Sequence, residues 1–328
     1  MRLTLDHEHA PFEVTGPDRY AARVADCPLR FVLGDDVTRA SAELAFADGT
    51  RLAGCLDLLR MPAPQLWIEW NDAVYKRVIH QSHSAAGFDA AAAGRRVGVL
   101  VQAAADGLGA ICRTFWADAM GDDSSGVIMS PLQTHIDLRG EFAGPADQED
   151  FLDGGFARLT DLGDTAMASL LDHVRFRFDE SWSAYYAAAA RTPDSKRSVV
   201  EGSLAAVARD APFLLAFILL LTAKDATRLT PVSRAAINLK RVSLGRAPLL
   251  DHVEVNASLE ALEPAESGQG FAGRQSPRLH HVRGHLVRRD DRIFWRTSHL
   301  RGSACQGMIR SRTVCLSFAR RHDGEARL

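Results

Sequence analysis

From Ala211 to Leu221 the chain runs through eleven residues, Ala-Pro-Phe-Leu-Leu-Ala-Phe-Ile-Leu-Leu-Leu, without one polar side chain. A helix that is apolar on every side cannot lie on a wet surface and has to be buried. The run has about half the length that a bilayer crossing needs, so it points to a globular core rather than a membrane span. Asp210-Ala211-Pro212 reads as an N-cap with proline in the first turn, opening a buried helix from Phe213 to Ala223 that stops at the polar Thr222-Ala223-Lys224. The rest of the chain must supply the layers that cover it.

The first of those layers is a sheet. Gln65-Leu-Trp-Ile-Glu-Trp70 alternates Leu66, Ile68 and Trp70 with Trp67 and Glu69, a strand with both faces partly covered. Arg95 to Gln102 and Ala110 to Trp116 read as two more strands, joined through the turn signal Asp106-Gly107, and together they describe an antiparallel meander. Upstream, Pro28-Leu-Arg-Phe-Val-Leu-Gly34 and Glu43 to Leu59 are strand or short-helix material. Gly126 to Ser130 is expected as an edge strand, and Ile136-Asp-Leu138 as a separate short one. Glu69, flanked by tryptophans, is better explained as an edge residue paired with an arginine than as a catalytic acid. The loop Asp122-Asp-Ser-Ser125 lacks the following acid that an EF-hand interval demands and is read as solvated.

From Gln148 onward the pattern turns helical. Apolar and small residues recur through Ala166 to Leu171 and Trp182 to Ala190, with Phe176, Phe178, Tyr185 and Tyr186 among them, and the alanine run favours helix. Further on come a polar strand or loop at Lys224 to Pro231, a short helix carrying Lys240 and Arg241 that stops at Gly245, and a strand His252 to Asn256. The fold class expected is α+β: an antiparallel sheet in residues 1–145, a helical layer in 146–260, a mobile Glu/Pro/Ser/Gly linker in 261–273, and a basic β-hairpin module in 274–328, all of which can belong to one domain.

Charge is divided unevenly. From Arg274 to the C-terminus there are thirteen arginines, no lysine and four acids, about +9, whereas the whole chain carries −2. A basic terminal module on an acidic body suits a polyanion partner or contact between the two halves. Arginine in place of lysine favours planar, bidentate contact with phosphate or carboxylate. Five scattered cysteines without a CxxC pair argue against a disulfide framework and an all-cysteine zinc site, and the sequence reads as cytoplasmic, with no signal peptide and no membrane partner.

Within the basic module, Arg278 to Gly302 concentrates four of the twelve histidines and seven arginines. Val282, Leu286, Ile293, Phe294 and Trp295 flank the charged tip Arg288 to Arg292, which predicts a hairpin. An even number of loop residues would set His281, Arg283 and His285 beside Arg296 and Ser298, with His299 facing the other way. An odd number would bring His299 to the same face, because one residue of slip flips a strand.

The order Ile237-Asn-Leu-Lys-Arg-Val-Ser-Leu-Gly-Arg-Ala-Pro-Leu-Leu250, a linker, Pro277-Arg-Leu-His-His-Val-Arg-Gly-His285, Trp295 and His299-Leu-Arg-Gly302 resembles a group of uncharacterised proteins encoded by bacteriophages and prophage-like regions. The likeness covers about Ala211 to Gly307, with a weaker echo at Leu66 to Trp70 and Arg96 to Leu100. It implies a mobile-element setting and a role close to nucleic acid or virus–host conflict.

The chemistry in this stretch suits phosphate. Arg278, Arg283, Arg296 and Arg301 can supply bidentate donors, Gly284 allows close backbone approach, and Trp295 can stack a base. His285 and His299 have the titration range for acid and base catalysis near neutral pH. The leading expectation is binding of nucleic acid or an anionic, phosphate-bearing ligand. The alternatives are an enzyme acting on a phosphodiester or nucleotide through His285 and His299, and a regulatory or structural protein working through protein contacts. Arginine pairing with acids of the body explains the same residues without a ligand. No cofactor and no metal is expected: His281 and His285 lie about 13 Å apart on a strand, and the P-loop, dinucleotide, HExxH and GxSxG signatures are missing.

Overall fold

The structure is a computed structural model, and it describes residues 17–47, 49–83, 96–117, 127–140, 172–179, 207–258, 278–282, 285–290, 292–296, 299–301 and 303–308, together with 170, 182, 192, 194, 198 and 204. The expected loop at 121–126, the helices across 181–206, the linker at 261–273, the last strand at 313–319, and Arg283 and Gly284 lie outside the described residues, apart from the isolated positions just named. The chain divides into two compact units. The first is Met1–Ser258 with Leu286–Phe294; the second is Leu259–His285 with Trp295–Leu328.

In the first unit the helices are α1 (Pro17–Ala25), α2 (Asp35–Ala47), α3 (Gly49–Ala53), α4 (Asp72–His83), α5 (Asp210–Thr222) and α6 (Ala235–Ser243). Its main strands are β1 (Leu29–Leu33), β2 (Gln65–Asn71), β3 (Arg96–Ala103), β4 (Gly109–Ala117), β5 (Val127–Asp137), β6 (Val174–Phe178), β7 (Thr227–Val232) and β8 (His252–Ala257). They form one eight-stranded sheet in the order β6-β5-β4-β3-β2-β1-β8-β7.

The sheet is mixed, where the sequence predicted an antiparallel one. From β2 through β6 every pairing is antiparallel, as the meander predicts, but β1 runs parallel to both β2 and β8. The residues between β1 and β2 hold α2 and α3, and a helical crossover is what parallel neighbours require. Strands β8 and β7, far along the chain, close the other side of β1.

Three further expectations are corrected. The predicted edge strand at 126–130 and the short strand at 136–138 are one strand, β5, which lies inside the sheet between β4 and β6 with an irregularity in its pairing to β4. Phe176 and Phe178 belong to a strand, not a helix. Val174, Phe176 and Phe178 alternate with Arg175 and Arg177 at period two, and this local pattern wins over the helical composition around it. Asp210 does not cap α5 with its side chain; the helix is preceded by Arg209 in helical geometry, and the Asp210 carboxyl is buried.

The apolar run does what it must. Every residue of α5 from Asp210 to Leu220 is buried. Phe213 meets Trp70 and Tyr75 with ring centroids 4.7 and 4.9 Å apart, and Phe217 meets Phe31 at 5.9 Å. Leu66, Ile68 and Trp70 of β2 serve this face. The alternate residue Trp67 serves the opposite one, where it packs with Phe115, and Phe115 with Tyr20 of α1. Both faces of β2 are thus covered. At Gly98 on β3 a Cβ would fall 2.1 Å from the Trp67 ring, so only glycine leaves room for the indole.

The hairpin of the basic module is formed. β10 (His285–Arg289) and β11 (Arg292–Arg296) pair as a two-stranded sheet, joined by two residues at Asp290-Asp291. Asp290 takes φ +53°, the left-handed conformation that a two-residue hairpin loop asks of its first member and that aspartate tolerates. In the second unit β9 (Arg278–Val282) lies between β12 (His299–Arg301) and β13 (Ser303–Met308), antiparallel to the first and parallel to the second.

Candidate functional site

The expected site residues fall in the second unit: Arg278, Arg283, Gly284 and His285 in its first segment, and Trp295, Arg296, His299 and Arg301 in its second. The hairpin tip does not. Residues Leu286–Phe294 belong to the first unit, where Lys224 N–H donates to the Ile293 carbonyl at 3.4 Å. Arg288 makes a two-pronged contact with Asp57, Nη1 to Oδ1 and Nη2 to Oδ2, both at 2.8 Å. That hydrogen-bonded guanidinium holds the Asp57 carboxyl below its ordinary range. For this arginine, pairing with an acid of the body is the outcome.

The β9–β12 ladder joins His299 to Val282, Leu300 to His281 and Arg301 to His280. This is the pairing that an even loop count predicts, so the sequence positions His281 and His299 are one step out of register. Arg296 and Arg301 are exposed, and neither makes an ion pair among the described residues. Trp295 and His285 are half-buried. At the tip, the Arg289 guanidinium lies 5.5 Å from the centre of the Phe294 ring. Among the described residues no three His, Cys, Asp or Glu side chains come together in a way that could hold a metal ion.

Two polar clusters that the sequence reading did not find lie back to back in the first unit. They are carried by neighbouring residues of β4, Thr114 and Arg113, which point to opposite faces of the sheet. On the α5 side, Thr114 Oγ1 donates to Asp210 Oδ2 at 3.3 Å and Tyr75 Oη to Asp210 Oδ1 at 3.4 Å. Burial, and then the charge of Asp72, push the Asp210 carboxyl up to about 8. Asp72 itself is bonded by Lys76 one turn on, at 2.7 Å. Asp210 is therefore a neutral acid at pH 7, held by two hydroxyls.

On the α1 side, Asp179 accepts from Tyr20 Oη at 3.1 Å, Gln133 Nε2 at 2.6 Å and Arg113 Nε at 3.3 Å. Gln102 accepts from Arg113 at 2.5 Å and from Arg23 at 3.2 Å. The Arg113 guanidinium also lies 5.2 Å from the centre of the Tyr20 ring. His135, within 3.3 Å of Gln133, is lowered to about 4 by burial and by Arg177 and Arg113, and is neutral at physiological pH. Glu69 on the same face pairs with Arg96, the arginine partner that the sequence favoured, though it is buried in an inner strand and not at an edge. With three donors converging on the buried Asp179, this cluster clamps α1 onto the sheet.

A sequence signal for both clusters existed. Asp210 stands directly before eleven apolar residues and cannot escape the interior they create, and Arg113 is centred in a strand between Cys112 and Thr114. No protein-family model, no curated protein and no solved structure matches the chain.

Proposed function

We propose that the chain binds nucleic acid, or a smaller ligand bearing phosphate, through Arg278, Arg283, Arg296 and Arg301 of the second unit. Gly284, next to Arg283 in sequence, would allow close backbone approach, and Trp295 would offer a ring for a base to stack on. The phage-type likeness of this stretch gives the setting: a protein of a phage or prophage acting close to nucleic acid. The observation that carries the reading is the exposure of Arg296 and Arg301 without an acid partner among the described residues. Guanidinium groups left to water in a stretch with thirteen arginines and four acids are available to phosphate, and arginine suits it geometrically. The hairpin tip shows the contrasting case, since Arg288 is already occupied by Asp57.

The test is a fluorescence-anisotropy titration of the full chain with a labelled single-stranded oligonucleotide at low salt, repeated for Arg301→Ala and Arg296→Ala. The reading expects each variant to bind more weakly by about tenfold, the equivalent of one good charge-assisted contact. Equal affinity of both variants and the unaltered chain, or no binding by any of them, contradicts it.

A further inference from the structure

The part of the first unit that carries α6 has regular structure but no interior. No residue from 227 to 250 is buried, although the stretch holds β7, α6 and the turn behind it. Every large apolar side chain that stands exposed among the described residues lies here: Leu229, Ile237, Leu239 at 78%, Val242 at 61%, Leu244 at 59% and Leu250. Exposed apolar groups gathered in one place mark a contact surface.

The arm formed by α6 and its return loop closes its polar groups on itself. The Asn238 side chain donates to the Leu249 carbonyl at 2.8 Å and accepts from the Leu249 N–H at 2.7 Å, while Arg241 Nε donates to the Ala247 carbonyl at 2.9 Å. Gly245, at φ +67°, turns the chain back. At this far end the N–H groups of Leu244, Gly245 and Arg246 satisfy the carbonyls of Lys240, Arg241 and Val242, and the Ser243 hydroxyl donates to the Lys240 carbonyl at 2.8 Å. Paired carbonyls inside and aliphatic side chains outside are what an apolar medium demands.

Shape and charge say which medium. At 3.6 residues per turn, Leu239 and Val242 fall on one side of α6, and Ile237 and Leu244 on the opposite side. A groove in a protein covers one side of such an arm, whereas the acyl edge of a bilayer surrounds its tip. Residues 227–250 hold five basic side chains, Arg228, Arg234, Lys240, Arg241 and Arg246, and no acid. Asp251 stands at the foot of the arm, where it accepts from the Arg234 N–H at 2.5 Å, and Glu254 lies on β8 opposite Thr230. A second copy of the arm is a poor occupant, because five positive charges would meet five more.

We infer that this arm is a peripheral contact for an anionic membrane, its tip residues Val242 and Leu244 entering the acyl edge while Lys240 and Arg246 stay among the headgroups. No helix among the described residues is long and apolar enough to cross a bilayer, so the contact is one of surface insertion. Sequence patterning alone predicts no membrane partner; the exposure of these side chains points the other way. The inference does not depend on nucleic-acid binding by the second unit.

It is tested by co-sedimentation of the nuclease-treated full chain with vesicles of phosphatidylcholine and phosphatidylglycerol, and with vesicles of phosphatidylcholine alone. The expected result is binding to the anionic vesicles that weakens in high salt and on neutral lipid. Leu244→Asp should weaken it by about tenfold or more, and Arg246→Ala by about fivefold, the usual worth of one basic residue near an anionic surface. Both should keep the unfolding midpoint, and Arg296→Ala/Arg301→Ala should bind vesicles as the unaltered chain does. Leu244→Trp should show an added, blue-shifted emission on anionic vesicles that a lipid-borne quencher removes, which reads insertion without a loss-of-function variant. Failure of the unaltered chain to bind anionic vesicles overturns the inference and leaves an acidic protein surface as the occupant. So does binding that is indifferent to Leu244→Asp, that is lost in Arg296→Ala/Arg301→Ala, or that leaves the Leu244→Trp emission unshifted.

Discussion

Helices α5 and α6 are neighbours in sequence, separated by little more than strand β7, and they treat apolar side chains in opposite ways. In α5 the residues from Asp210 to Leu220 are all buried; in α6 none is. Composition already separates them: α5 holds five leucines and no basic residue, while α6 holds one leucine beside Lys240 and Arg241. The neighbourhood differs too: α5 is walled in by the sheet and by α2, with Phe213 and Phe217 locked among aromatic rings, whereas the hydrogen bonds of α6 among the described residues run to its own return loop through Asn238 and Arg241 and, at its start, to Asp251. Apolar side chains in the first helix hold the fold together, and those in the second stand exposed.

The contrast can be broken by substitution. Phe213→Ala should cost about 3–5 kcal/mol, the usual loss for a large aromatic removed from a closed core, read from denaturant midpoints with an unchanged slope. If Phe213→Ala proves nearly neutral, α5 is not the core.

Next in size is a pH effect at the start of α5. The folded chain holds a proton on Asp210 up to about pH 8, while an unfolded aspartate releases it near pH 4. The contribution of this proton to stability is therefore full below about pH 4, is lost at up to about 1.4 kcal/mol per pH unit between those values, and is gone above them. Asp210→Asn should remove this slope, so the variant gains on the unaltered chain as pH rises from 5 to 8 in paired denaturation curves; parallel curves would show that Asp210 is ionised in the fold.

The smallest effect sharpens the comparison from the other side. Leu239→Ala in α6 should change stability by no more than about 0.5 kcal/mol, as for an exposed residue, although its loss of large apolar surface is similar in kind. A cost of several kcal/mol would place Leu239 in a packed interior.

Much of this fold was legible in the residues. The eleven-residue apolar run, the alternation at Leu66 to Trp70 and the β-rich flanks of Arg288 to Arg292 each follow a local period, and each became the expected helix, strand and hairpin. What could not be read was set by distant partners. Nothing near Leu29–Leu33 says that it will lie parallel to both Gln65–Asn71 and His252–Ala257. The same holds for Asp210, whose proximity to Asp72, Tyr75 and Thr114 arises only when α4, α5 and β4 meet. In the basic module the two-residue tip hid behind Asp290-Asp291, because the left-handed turn is commoner with Asn-Gly, and the capture of Arg288 by Asp57 bridges residues far apart in the chain.

Exposed basic side chains stand on α6 and, as Arg296 and Arg301, in the second unit, and assigning nucleic-acid binding to the latter is the central proposal. Oligonucleotide affinity measured against salt concentration decides it. The logarithm of the binding constant should fall linearly with the logarithm of salt, and Arg296→Ala or Arg301→Ala should each reduce the slope by about one, while Arg246→Ala leaves it unchanged. A slope that drops with Arg246→Ala and not with Arg296→Ala or Arg301→Ala would contradict the account.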